Sequence, residues 1–443
     1  MSAPRLSDLR DCFEGVIPSI VATSSEDGMP NVSYLSHVER IDDRHVALSN
    51  QFFGKTAANL RANPRASVML VDGITGRQFR LAVTWLRNEC EGPLFEAMAA
   101  SLRASSAQVG MAEIMRLDSV DIFRVESIDA LPHPDGLAPP PTTPARSGLA
   151  QAAEAVARVA AETETARIVE ALLEGTRAML RCPGVILFQH DPSRGALVTL
   201  ASRGYPLSGA GSEIAIGEGI AGAAAESRRA VRVSDMSRVR RFGAAILGGA
   251  DEDATRRIAL PGLPDAQSQL AVPMLAQGGL YGVLFAESPE RLAFRADDAA
   301  ALSMVATHAA AALLLGEALA GEATAPAAAP VPSAATTTFR VVHHGFDDSV
   351  FIDNGYVIRG VAGRLLVYLL RRHLAEGRLE FSNREIRLAP ELRLPDFKDN
   401  LETRLLLLRQ RLEEKGCPVR LARAGRGLVR LHLAGAPEIE QAV

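Results

Sequence analysis

Apolar and polar residues alternate along most of the first 130 residues. Ser19 to Thr23, Pro30 to His37, His45 to Ser49, Ala66 to Val71 and Gln78 to Leu86 carry the period of two of half-buried strands. Ser25-Glu26-Asp27-Gly28 and Asp42-Asp43 supply turns, and Thr56 to Ala62 reads as a helix stopped at Asn63-Pro64. Short strands at this spacing predict a barrel. At Gln151 the pattern changes. Gln151 to Arg181 is one long Ala/Glu-rich helical stretch. Strands follow at Val185 to His190 and Ala196 to Ser202, around the turn residues Asp191-Pro192-Ser193-Arg194-Gly195. A helix enters at Gly219, and a strand at Val231 to Val233 ends at Ser234-Asp235. Ser268 to Met274 and Leu280 to Glu287 pair around Gly278-Gly279, and the uncharged run from Ala299 closes the stretch as a buried helix.

The last hundred residues mix both periods. Val350 to Ile358 alternates around Asp353-Asn354-Gly355, a hairpin signal. Leu365, Leu366, Leu369 and Leu370 form the apolar face of a helix from Gly360 to Glu376, ended by Gly377. Ser382-Asn383-Arg384-Glu385 is a capping box for a short second helix. Pro395-Asp396 opens a third, reaching about Lys415, in which Leu401, Leu405, Leu408 and Leu412 make one core stripe. Asn400, Arg404 and Arg411 lie on a neighbouring face, with Arg409 on the opposite flank. Val419 to Arg423 and Leu428 to Leu433 are strands joined by Ala424-Gly425-Arg426-Gly427. Strands, three helices and a basic hairpin predict a winged helix, whose third helix enters the major groove. Lys398, Asn400, Arg404, Arg411, Arg423 and Arg426 are the candidate DNA contacts. The alternative is a small α+β domain that binds protein or nothing, its arginines merely solvated.

Composition then divides the chain. His133 to Arg146 holds five prolines in fourteen residues, and Gly321 to Thr338 is an Ala/Pro/Thr stretch without periodicity. Domains are expected over 1–132, 148–320 and 339–443, with linkers at 133–147 and 321–338; the length of 443 residues suggests the same three. With 47% hydrophobic and 23% charged residues, disordered and collagen-like chains are excluded. The net charge of −4 excludes a basic nucleic-acid coat, but it is unevenly shared. Residues 339–443 hold 18 Lys+Arg against 14 Asp+Glu, and the remainder carries a net −8. Cys12, Cys90, Cys182 and Cys417 form no C-x-x-C pair, so no sequence-local zinc or redox site is expected. The first residues lack an apolar signal core, and the run Ala299 to Leu315 falls about a turn short of a membrane span. A cytoplasmic protein without a membrane segment is expected.

Only three of the 48 basic residues are lysine: Lys55, Lys398 and Lys415. Lys55 stands in Ser49-Asn50-Gln51-Phe52-Phe53-Gly54-Lys55-Thr56, which joins a strand to a helix. Hydroxyls, amides and a compact ammonium beside the free N–H groups of a helix start make a phosphate seat. A solvated loop with a capping threonine is the alternative. The stretch 15–130 resembles the FMN-binding split barrel of the pyridoxamine-phosphate-oxidase superfamily. DGMPNVSYLS, RHVALSNQFFGKTAANLRANPRASVML, GRQFRL and MRLDSVDIFRVESI carry the resemblance. It implies FMN at a dimer interface, with Ser49, Asn50, Lys55 and Thr56 toward the phosphate and Gln51 among the cofactor-binding residues; haem, a deazaflavin or an empty barrel are the alternatives. Gln78 would lie near the isoalloxazine, with Arg77 assisting. Asn31 and Ser36 stand where the family's oxidases carry arginine and lysine, and their substrate-binding C-terminal segment is not recognisable. Oxidation of pyridoxamine phosphate is therefore not expected, and no general base or nucleophile constellation accompanies the barrel motifs.

Gly217, Gly219 and Gly222 form G-x-G-x-x-G, but hairpin neighbours argue against a parallel dinucleotide-binding sheet. Residues 165–316 instead resemble a GAF domain, through GEGIAG, AVRVSDMSRVRRF, SQLAVPM and GGLYGVLFAES. That implies an antiparallel sheet with a pocket on one face, helices that often pair between subunits, and small-molecule sensing or dimerisation by an unspecified ligand. His190 and His308 read as packed histidines, and Arg240 to Pro264 as a lid. Residues 345–434 resemble the winged-helix effector domains of response regulators, through FIDNGYVIRGVAGRLLVYLL, LPDFKDNLETRLLLLRQRLEE and GRGLVRL. Leu406 and Leu407 broaden the apolar surface of the third helix and imply contact with a partner domain or second subunit. The fold class is thus multidomain α+β: split barrel, GAF, winged helix. The function implied is a homodimeric, ligand- or redox-responsive transcriptional regulator that holds FMN, reads a small-molecule effector and binds DNA. An FMN-dependent oxidoreductase with regulatory domains is the alternative, and a scaffold binding protein through Leu406 and Leu407 a third.

Overall fold

The structure, a computed structural model, describes residues 4–51, 54–107, 116–132, 148–236, 258–321, 337–392, 394 and 400–442. Alternation in the first part produces a curled, seven-stranded antiparallel sheet. Its strands are β1 (Ser19–Ser24), β2 (Pro30–Leu35), β3 (Val38–Arg40), β4 (His45–Asn50), β5 (Arg65–Val71), β6 (Gln78–Glu89) and β7 (Ser119–Ala130), in the order β2-β1-β5-β6-β7-β4-β3. The expected strand from Pro30 to His37 breaks at Ser36-His37, where the chain turns from one sheet edge into the other. There His37 and Ser49 exchange backbone and hydroxyl hydrogen bonds that continue the β3–β4 pairing. Inward residues such as Val21, Leu48, Val68, Leu81 and Phe123 form the core, capped by Leu6, Leu9 and Phe13 of a 3-10 helix (Leu6–Glu14). Helix α1 (Gly54–Ala62) lies across β1, and α2 (Pro93–Ala107) joins β6 to β7.

The long helix expected from Gln151 is two helices, α3 (Leu149–Ala160) and α4 (Thr165–Leu180). They pack with α6 (Ala296–Gly321) on one face of a second antiparallel sheet. That sheet holds β8 (Gly184–Asp191), β9 (Ala196–Arg203), β10 (Glu213–Ala215), β11 (Val231–Val233), β12 (Ser268–Ala276) and β13 (Gly279–Ser288), ordered β10-β9-β8-β13-β12-β11. Helix α5 (Gly219–Ser227) covers the other face. Val185 and Leu187 point to the three-helix face, Ile186 and Phe188 to α5. Burial on both faces explains why these strands read as apolar runs. The G-x-G-x-x-G glycines serve the turn and its packing: Gly217 and Gly219 take positive φ, and a Cβ on Gly222 would lie 2.5 Å from the Ala215 carbonyl. Helix 296–320 is long and apolar enough to cross a membrane, and its stripe Leu302, Val305, Ala306, Ala309 and Leu313 is buried on the sheet. Most of the expected lid, and the two linkers, lie outside the described residues.

The last part opens with β14 (Thr338–His344), β15 (Ser349–Ile352) and β16 (Gly355–Ile358). Asp353 and Asn354 take positive φ in the hairpin turn, as its sequence requires. Helix α7 (Val361–Glu376) ends at Gly377 in the left-handed region. Ser382 caps α8 (Asn383–Arg387), its hydroxyl accepting from the Glu385 N–H at 3.1 Å. Helix α9 (Leu401–Glu414) is followed by a hairpin of β18 (Val419–Gly425) and β19 (Leu428–Leu433). Two strands were not legible in the pattern. β17 (Glu380–Ser382) joins that hairpin, and β20 (Ala436–Ala442) pairs in parallel with β14. α9 begins six residues later than Pro395; residues 395–399, with Lys398, lie outside the described ones. One continuous apolar core runs from α3, α4 and α6 into α7 and α9, whereas the N-terminal sheet keeps a core of its own.

Candidate functional sites

The strand-to-helix segment of the barrel is divided by the fold. Ser49 is buried, and its hydroxyl accepts from the His37 N–H at 3.0 Å and donates to the His37 carbonyl at 3.1 Å. Asn50 turns its amide to Ser119 and Asp121, each at 3.2 Å. Asp121 also accepts from the Trp85 indole at 3.0 Å; burial raises its carboxyl, and these donors oppose the rise. Ser49 and Asn50 therefore tie β4 to β3 and β7.

Gln51 and Thr56 point elsewhere. Thr56, in the first turn of α1, is 1% exposed. Asn31 donates to its hydroxyl at 3.0 Å, and the Ser33 hydroxyl lies 2.8 Å away. Ser36 donates to Gln51 Oε1 at 2.6 Å, while Gln51 Nε2 is buried without a partner. Asn31, Ser33, Ser36, Gln51 and Thr56 thus form a polar lining along β2, with Lys55 exposed at the free N–H groups of the α1 start. Asn31 and Ser36, departures from the oxidase pattern, belong to it, and so does Ser33. Its signal in the sequence was the polar half of the β2 alternation. Arg77 and Gln78 do not join them. Gln78 pairs with Val71 beyond the Ser19 end of β1, whereas α1 binds the other end, through Asn59 to Thr23 and Asn63 to Ser24. Within one chain the two sets lie at opposite ends of the sheet.

Between the barrel and the second sheet is a cavity of about 840 Å³, in the size range of small-molecule sites. Phe13, Tyr34, Leu94, Met98 and Leu102 give it apolar walls, and Ser36 lines it beside Gln51. Its polar corner is Glu14, Arg232 and Ser234. Glu14, 6% exposed, accepts from the Arg232 guanidinium and from Ser234 at 2.9 Å. Burial brings Arg232 down to about 10, and nearby Asp298 opposes this. No metal-binding cluster of His, Cys, Asp or Glu occurs among the described residues.

Comparison with protein families matches residues 7–126 to pyridoxamine 5'-phosphate oxidase and residues 164–313 to the GAF domain. The N-terminal domain is a pyridoxamine-phosphate-oxidase-like split barrel, and the central one is a GAF domain. Among solved structures, the GAF domain of an Acinetobacter phosphoenolpyruvate-protein phosphotransferase is 16% identical. That match covers 39% of this chain and 95% of the other, with a TM-score of 0.32. An FMN-binding protein from Syntrophomonas wolfei is 17% identical over 28% of this chain and 87% of the other, TM-score 0.25. Group A Streptococcus HupZ is 21% identical over 28% and 92%, TM-score 0.22. No curated protein matches the chain. Both family matches end before the mixed strands and helices of residues 337–442.

That C-terminal region lies against the GAF domain. Helix α9 turns Leu401, Leu405, Leu408 and Leu412 into its own core, as the stripe predicts. Its next face meets GAF: Thr403 accepts from Gln189 at 2.8 Å, and Arg404 and Leu407 line a crevice with Gln189 and Glu213. Leu406 and Leu407 are 6% and 5% exposed, so the broadened apolar surface is covered within the chain. Arg411 is corrected as a candidate DNA contact. It is buried, donating to the Val357 carbonyl at 3.0 Å and to Glu414 at 2.7 Å. Arg423 pairs with GAF Glu164 at 2.8 Å, Asn400 is half-buried at the α9 start, and Arg426 is exposed in the hairpin turn.

Proposed function

We propose that this chain is a cytoplasmic, homodimeric sensor-regulator. A flavin in the split barrel and a small-molecule effector at the GAF domain control a C-terminal winged helix that binds DNA. The observation that carries this reading is the continuous core joining GAF to the basic C-terminal domain. A sensor that shares its core with an output domain biases that domain's state when it changes shape itself.

The residues of the barrel fit FMN in part. Lys55 and the α1 N–H groups would hold the phosphate, and the unpartnered amide of Gln51 would meet an acceptor on the ligand. Asn31, Ser33 and Thr56 fix the strand-to-helix corner from behind. Bound there, FMN would supply one- and two-electron redox chemistry. The purified protein is expected to be yellow, with flavin absorption, and Lys55→Ala to lower the flavin retained per chain. A colourless protein that takes up no added FMN would remove the flavin from this reading.

The C-terminal order of strands, three helices and basic hairpin supports DNA as the partner. Binding to duplex DNA should weaken steeply with salt and fall further when Arg404, Arg423 and Arg426 become Ala. One observation favours a second reading, an FMN-dependent oxidoreductase: the cavity reaches Ser36, next to Gln51, and gives a substrate access. Steady turnover with a nicotinamide donor would support it.

A further inference from the structure

Three GAF-side carboxylates meet the C-terminal domain. Glu213 accepts from Arg359 Nε at 3.1 Å and from both Arg359 and Arg194 guanidinium ends. Glu317, near the end of α6 and 6% exposed, accepts from the Thr403 N–H at 3.0 Å and from Arg387 at 2.9 Å. Glu164 holds Arg423 at 2.8 Å. Glu317 caps the free N–H groups of α9 and meets a charge from α8 as well. An anion at a helix N-terminus beside arginines is the arrangement in which a DNA phosphate is held. Between these contacts, Thr403 and Leu407 seal α9 onto GAF, and Ser208 donates to Glu414 at 3.1 Å near its far end.

We infer that this arrangement is an autoinhibitory dock, in which GAF carboxylates stand in for the DNA backbone and cover the reading helix until the sensor releases it. The inference rests on the DNA-binding reading above. A winged helix inserts its third helix into a groove about 12 Å wide, and a helix packed on a second domain cannot enter it. Release then requires only that GAF hold the C-terminal domain less well in one sensor state than in the other. Glu317 lies on α6, whose stripe packs on the GAF sheet, so a shift of that sheet moves the cap and the dock together.

The test uses the full chain and a labelled 20-base-pair duplex of mixed sequence, titrated by anisotropy at several salt concentrations. The variant is Glu164→Arg with Glu213→Arg. Both side chains are partly solvated, and reversal sets like charges opposite Arg423 and Arg359. Small-angle scattering reads opening independently of DNA. The expected result is an enlarged radius of gyration and duplex binding at least tenfold tighter than wild type. An enlarged variant that binds DNA no better than a DNA-binding wild type would overturn the dock and leave DNA reading standing. An enlarged variant without DNA affinity at any salt, like the wild type, would overturn DNA reading itself. An unchanged radius would show that these carboxylates do not hold the domain, which also overturns the dock.

Discussion

The GAF domain meets its two neighbours in different ways. Toward the barrel it leaves a cavity of about 840 Å³, bridged at one corner by Arg232, Glu14 and Ser234. Toward the C-terminal domain two crevices, one beside Gln189 and Glu213 and one beside Glu164 and Leu406, hold about 40 Å³ each; leucines of α9 continue its core, and carboxylates close the rim. A junction held by ion pairs and by α2 against α5, around an opening, can admit a ligand. A junction made of shared core transmits whatever that ligand does, because packed interiors change between discrete arrangements rather than yielding continuously.

The strongest way to break this comparison is at the polar corner. Arg232→Ala leaves Glu14 buried and unpaired apart from Ser234, and is expected to cost about 3–5 kcal/mol in denaturant unfolding. Glu14→Gln with Arg232→Met should recover much of that loss; no recovery would mean the corner acts through packing. At the shared core, Leu407→Ala should cost about 2–5 kcal/mol, whereas Tyr34→Ala, at the exposed wall of the cavity, should cost clearly less. Equal losses would erase the distinction between the junctions.

Glu317 gives a smaller effect with a definite sign. Burial pushes its carboxyl up to about 7 from 4.5, and the α9 N–H groups and Arg387 oppose that rise. The folded state therefore holds this proton more tightly than the unfolded chain. The Glu317 contribution to stability is greatest below about pH 4.5 and declines as pH rises toward about 7, by on the order of 3 kcal/mol. Glu317→Gln should flatten that part of the stability profile measured by thermal melting between pH 4.5 and 7. An unchanged profile would show that the carboxyl is not desolvated in solution. The smallest effect is expected at the rim: Arg423→Ala breaks a part-exposed pair with Glu164 and should shift stability by less than about 1 kcal/mol. A larger loss would mean that the rim, not the leucine core, carries the junction.

Much of each domain was legible locally. The period of two in β1, the Asp353-Asn354-Gly355 turn, the Ser382 cap and the leucine stripe of α9 each follow from a few neighbouring residues and appear where their chemistry requires. Legibility was poorest where distant segments meet. β20 carries no pattern that announces a parallel pairing with β14, and β17 is only three residues long. At the barrel site the sequence singled out the right loop but could not say which way each side chain turns. Ser49 and Asn50 hold β4 to its neighbouring strands, Arg77 and Gln78 lie at the far end of the sheet, and Asn31, Ser33 and Ser36 joined the lining.

By itself the sequence determined most of the element types and the surplus leucines Leu406 and Leu407 that ask for a cover. Only the tertiary structure decided that the cover is the GAF domain of the same chain, and that Arg411 is interior rather than exposed. The physical reason is that periodicity records which face of an element is apolar, while what meets that face depends on contacts between residues hundreds of positions apart.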